Sequence, residues 1–200
     1  AIATNPSRPE RLEVLLADDK VYHQDSMLVV PSQTALIGGA SGTVLEFAFP
    51  GDPPPAQPHT DWPCLRASGP HGESPGPGAG MTNLSACPPC LTGFGAGWEL
   101  HNISIIMQDW PAGAALVEVP KSARDVRLLG LNTTTMQPNS TQNAIRLLGR
   151  NIEVGWWRHT QMQGLCYGGA LITRGARQVW VHDANLLRNC GGVMDWDATD

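Results

Sequence analysis

Short apolar–variable–apolar phrases recur along this chain at a nearly fixed interval, and that interval limits the available folds more than any other feature. "DVRLLG" at Asp125, "NIEVGW" at Asn151 and "QVWVHD" at Gln178 each set a polar residue ahead of an apolar lead, and "NISIIM" at Asn102 has the same form. The leads Ile103, Val126, Ile152 and Val179 are 23, 26 and 27 residues apart. A second series is interleaved: "VLEF" at Val44, "LVEV" at Leu116, "AIRL" at Ala144, "ALIT" at Ala170 and "GVMD" at Gly192. From Val117 through Ile145 and Leu171 to Val193 its steps are 28, 26 and 22. Two short strands per repeat, separated by Gly, Asn and Pro turns, predict the coils of a solenoid.

Side chains alternate across a strand, so each phrase has one inward face: Val126 with Leu128, Ile152 with Val154, Val179 with Val181. Arg127, Glu153 and Trp180 then face solvent. One coil cannot bury its own apolar face, but stacked coils can, each pairing in parallel with the next. The polar residues ahead of the leads (Asn102, Asp125, Asn151, Gln178) are expected to line up at a bend, where amides bond along the stack. The competing architecture is an antiparallel sandwich, which also has many short strands. Its tight hairpins favour Asn-Gly or Asp-Gly, and the sequence contains neither dipeptide.

Composition points the same way. Gly (22) and Pro (17) are abundant while charged residues make up only 16%, which favours strands and turns over helices. A net charge of −5, with no Lys/Arg cluster along the chain, argues against nucleic-acid partners and anionic lipid surfaces. No apolar run approaches the roughly 18 residues of a membrane span. Without an initiator Met or signal-peptide pattern at Ala1, the chain is expected to be a processed segment of a longer chain or assembly.

The stretch "LLADDKVYHQDSMLVVPSQTALIGGASGTVLEF", with its strand, Val-Pro-Ser-x-Thr, Leu-Ile-Gly phrase, resembles the opening of right-handed parallel β-helix proteins of the pectin-lyase-like superfamily. "LVEVPKSARDVRLLG" at Leu116 echoes it. The resemblance covers residues 10–48 and 98–200 and implies an all-β, right-handed parallel β-helix. It leaves function open, since that superfamily includes lyases, hydrolases, adhesins and structural glycoproteins.

Residues 50–97 interrupt the rhythm. This Pro/Gly-rich stretch has too few aliphatic residues for its own core, so it is expected to be a loop inserted in one β-helix domain spanning 1–200. It holds Cys64, Cys87 and Cys90; Cys166 and Cys190 fall at similar points of later coils. Cys87-Pro-Pro-Cys90 has no second pair to complete a zinc site, so disulfides that pin the loop and bridge coils are expected. The sequons at Asn83, Asn102, Asn132 and Asn139, together with five cysteines, point to a secreted or cell-surface glycoprotein carrying covalent glycans.

Candidate chemistry is sparse. Asp183, Asp195 and Asp197, with His182, Asp200, Arg158 and Arg174 near in sequence, are the carboxylates and cations that acid–base chemistry or a bound calcium would need. The superfamily's hydrolase and lyase signatures are absent. No metal-ligand spacing involves His159 or His182, and no cofactor motif occurs. Trp156, Trp157 and Trp180 form a candidate platform for sugar rings, or else pack into the core. The expected function is a non-catalytic extracellular structural or adhesive glycoprotein that assembles end to end, or through its loop, with copies of itself or neighbouring domains in a fibre or surface layer. The alternative is a lyase or glycoside hydrolase acting on acidic polysaccharide through Asp183, Asp195 and Asp197.

Overall fold

The computed structural model describes residues 11–48, 89–108, 115–135, 143–161, 171–187 and 193–196. These form eighteen strands in six successive triplets and no helix. The first triplet is β1 (Leu12–Leu15), β2 (Lys20–Gln24) and β3 (Leu28–Val30); the second is β4 (Thr34–Ile37), β5 (Thr43–Ala48) and β6 (Leu91–Gly93). Then come β7 (Glu99–His101), β8 (Ser104–Gln108) and β9 (Ala115–Val119), followed by β10 (Arg124–Leu129), β11 (Asn132–Thr135) and β12 (Asn143–Leu147). The last two triplets are β13 (Arg150–Gly155), β14 (Arg158–Gln161) and β15 (Leu171–Arg174), then β16 (Arg177–His182), β17 (Asn185–Leu187) and β18 (Val193–Trp196).

Every strand pairs in parallel with the strand three places along. The result is three six-stranded sheets: A from the first member of each triplet, B from the second and C from the third. The described residues are all-β with parallel sheets, an arrangement consistent with a β-helix-like solenoid. Its rows follow the sequence pattern: Val126 pairs with Ile152 and Ile152 with Val179 in sheet A, while Val117, Ile145, Leu171 and Val193 pair in turn in sheet C.

The structure corrects the repeat in three ways. There are three strands per repeat rather than two; the additional member, such as "NTTT" at Asn132, has too few aliphatic residues to stand out in sequence. "NISIIM" belongs to sheet B, where Ser104 pairs with Asn132, and the true neighbour of Arg127 is Glu99. "VLEF" likewise lies in sheet B rather than with "LVEV". Hydrophobic alternation marks a strand without saying which sheet it joins. The region read as an inserted loop also supplies β6 near its end, while residues 49–88 lie outside the described residues.

Two bends explain why the spacing holds. Between sheets A and B, Asp19, Gly42, Asn102, Gly130, Trp156 and Asp183 all have positive φ; between C and A, so do Gln33, Gly97, Asp125, Asn151 and Gln178. Asn, Asp and Gly tolerate this left-handed region best, whereas Trp156 (φ 49°) sits there at a cost. Asn102 is therefore at a different bend from Asp125, Asn151 and Gln178. The latter three do line up, and Asn151 Nδ2 donates to Asp125 Oδ1 at 2.5 Å. All internal segments outside the described residues join a sheet B strand to a sheet C strand.

The core runs along the axis as rows of Leu, Ile and Val, with Trp98, Phe47 and Met107 filling its width. A Cβ at Gly93 would fall 2.5 Å from Trp98 ring carbons, so only glycine admits that indole. Removing one buried leucine, Leu100 or Leu128, is expected to cost about 2–5 kcal/mol.

Candidate functional site

The outer face of sheet A gathers most of the polar chemistry. Parallel pairing stacks Glu13, Ala35, Glu99, Arg127, Glu153 and Trp180 in one outward row. Two residues further along each strand, His101, Leu129, Gly155 and His182 form the next row. Arg11 Nη1 donates to Glu99 Oε1 at 2.7 Å, and Glu99 Oε2 lies 2.6 Å from His101 Nε2. Three strands along, Arg127 Nε is 3.3 Å from Glu153 Oε2, and His182 Nε2 is 3.2 Å from Glu153 Oε1. A half-open cleft of about 360 Å³ runs over this face, lined by Gln33, Glu99, Asp125, Arg127, Asn151 and Trp180 among others.

His182 is held between two carboxylates. Its Nδ1 lies 2.9 Å from Asp183 Oδ2, and that bond, followed by the one to Glu153, raises its pKa above the ordinary histidine value. The ring lies over Gly155, where a Cβ would come within 2.4 Å of it, and meets Trp156 edge-on at 5.2 Å. Trp156 and Trp180 are both about 60% exposed, so two indoles flank one histidine on an open surface. Trp157 does not join them. It is fully buried and its Nε1 donates to Thr133 Oγ1 at 2.9 Å, because it takes the inward position where the chain enters β14. His159 is interior too: its Nδ1 is 3.1 Å from the Thr133 carbonyl, and desolvation lowers its pKa to about 4 against that bond.

Of the candidate carboxylates, Asp183 is at the bend after β16 of sheet A, whereas Asp195 lies on β18 of sheet C, paired with Thr173. Asp197 and Asp200 lie outside the described residues, as do Asn83, Asn139, Cys64, Cys87, Cys166 and Cys190. Among the described residues, no group of three His, Cys, Asp or Glu is arranged to hold a metal ion. Asn102 and Asn132 are exposed. Cys90 is a free, fully buried thiol, and burial pushes its pKa well above the usual range. No helix among the described residues is long and apolar enough to cross a membrane.

Sequence reasoning passed over Arg11, Glu99 and His101; Arg11 meets Glu99 across 88 residues of chain, while His101 meets it from the same strand. It also missed a column of arginines. Arg124 pairs with Arg150 and Arg150 with Arg177, all exposed. The signal was present as "RDV", "RNI" and "RQV", an arginine ahead of each polar lead. The chain matches no protein-family model, and no curated protein matches it.

Proposed function

We propose that this chain is a right-handed parallel β-helix serving as a structural or adhesive element of an extracellular glycoprotein fibre or surface layer, extended by further rungs at its ends. The supporting observation is how the core rows finish. Leu36, Leu100, Leu128 and Val154 are at most 8% exposed, while Val14 and Val181, at the two ends of the same row, are 37% and 40% exposed. Leu12 and Leu15 on β1 are more open still. Edge strands with unpaired backbone groups and an apolar row favour addition of like strands. A second copy supplies that chemistry, since β1 offers the alternation that β16 would meet in a seventh strand of sheet A. The exposed sequons at Asn102 and Asn132 add support for a glycosylated, secreted chain.

The test uses the intact chain, followed by sedimentation and electron microscopy as concentration rises. Rod-like species growing by one chain length are expected, and Val181→Asp should leave folded monomers. A parent that stays monomeric at all concentrations, belongs to no longer chain and shows no mass change on deglycosylation would sink the reading.

A further inference from the structure

We propose that the column Arg124, Arg150 and Arg177 binds a linear polysaccharide carrying oxyanion groups, sulfate or carboxylate. Parallel pairing sets these three arginines directly above one another, at the ~4.8 Å spacing of adjacent strands. Backbone bonds fix the register: Arg124 N donates to Gly95 O, Arg150 N to Ala123 O and Arg177 N to Gly149 O. All three side chains are exposed. Like charges stacked in this way repel. Three other arginines do face carboxylates: Arg11 meets Glu99, Arg127 meets Glu153 and Arg146 meets Glu118. Among the described residues no carboxylate pairs with Arg150 or Arg177, and Arg124 reaches only Asp125 at 3.8 Å. In a chain of net charge −5, an uncompensated cationic column is a place for an external anion.

The shape of the charge selects the ligand. Guanidinium forks favour planar or tetrahedral oxyanions over diffuse negative charge. The positive strip is one residue wide, with Asp125, Asn151 and Gln178 beside it, so it suits a single extended polymer presenting one anionic group per strand. A duplex or a membrane surface presents a broader anionic face than a strip of three arginines can match. The neighbouring amides and carboxylate can bond sugar hydroxyls, which donate and accept. The column runs along the stack rather than across its ends, so this site does not depend on end-on assembly.

Binding of the full chain to heparin and to polygalacturonate is measured across a salt series. Affinity for at least one of them should fall steeply with salt, and preference between the two identifies the oxyanion. Arg150→Gln should weaken binding roughly tenfold and the triple variant R124Q/R150Q/R177Q roughly a hundredfold or more. Arg158→Gln, on sheet B, should leave it unchanged. Without polysaccharide, the triple variant should unfold at the same temperature as the parent or higher, since only repulsion is lost. The proposal is overturned if neither polymer binds in a salt-dependent way, if Arg158→Gln matches Arg150→Gln, or if single-stranded DNA binds as tightly as the better polysaccharide.

Discussion

Two arginine–glutamate pairs in this molecule have the same chemistry and the same geometry in the sheet, yet different physics. Arg127 and Glu153 are direct neighbours on the outer face of sheet A; Arg146 and Glu118 are direct neighbours on the outer face of sheet C. The first pair is open, with side chains 48% and 33% exposed. In the second, Arg146 is 1% exposed, and Leu116 and Ala144 on the same outward side are equally inaccessible. At β9 and β12 the outer face of sheet C is thus a second interior, whereas at β10 and β13 that of sheet A is a working surface. Water screens the open pair, so it contributes little to folding and its groups stay available to ligands. The covered pair has lost its hydration and holds the protein only while both partners are present.

Removing one partner from each pair is the sharpest way to break this contrast. Glu118→Ala removes one carboxylate from beside the buried Arg146 guanidinium and should cost at least about 2 kcal/mol in chemical denaturation. Glu153→Ala should cost under about 1 kcal/mol. Equal losses would mean that the two faces are not different environments.

Histidines extend the comparison to pH. His159, with its folded pKa near 4, takes up a proton in the unfolded chain first as pH falls below the ordinary value. Its contribution is complete above about pH 6.5 and is lost progressively towards pH 4, on the order of 3 kcal/mol in all. Urea midpoints at pH 7 and pH 4.5 should show that loss in the parent and a smaller one in His159→Leu. His182 shifts the other way. Its pKa is raised, so what it contributes is present below the ordinary histidine value and lost as pH rises through the folded one. As it sits on the open face, the effect is expected in its NMR titration rather than in stability: a midpoint above 6.5 that moves down in Asp183→Asn.

The predicted outward residues Arg127, Glu153 and Trp180 fall in one row, and the inward leads of both main series pair as expected, apart from the sheet B phrases at 44 and 102. Trp157 shows where local pattern stops being informative. Beside an exposed Trp156 it has no sequence mark of its own burial, which follows from the bend that turns it inward to Thr133. The site residues were harder to see, since Arg11 and Glu99 are 88 residues apart in the chain and 2.7 Å apart in space.

What the sequence determined by itself is the face to which side chains within a strand point, because alternation across a strand is set by immediate neighbours and survives any change in the loops. Tertiary structure alone decided which strands meet. That depends on connections of unequal length between sheets B and C, and it turns arginines 26 and 27 residues apart into one charged column. Charge in a sequence is counted along the chain, but electrostatic fields add through space, so only the stacked rungs could bring that column into being.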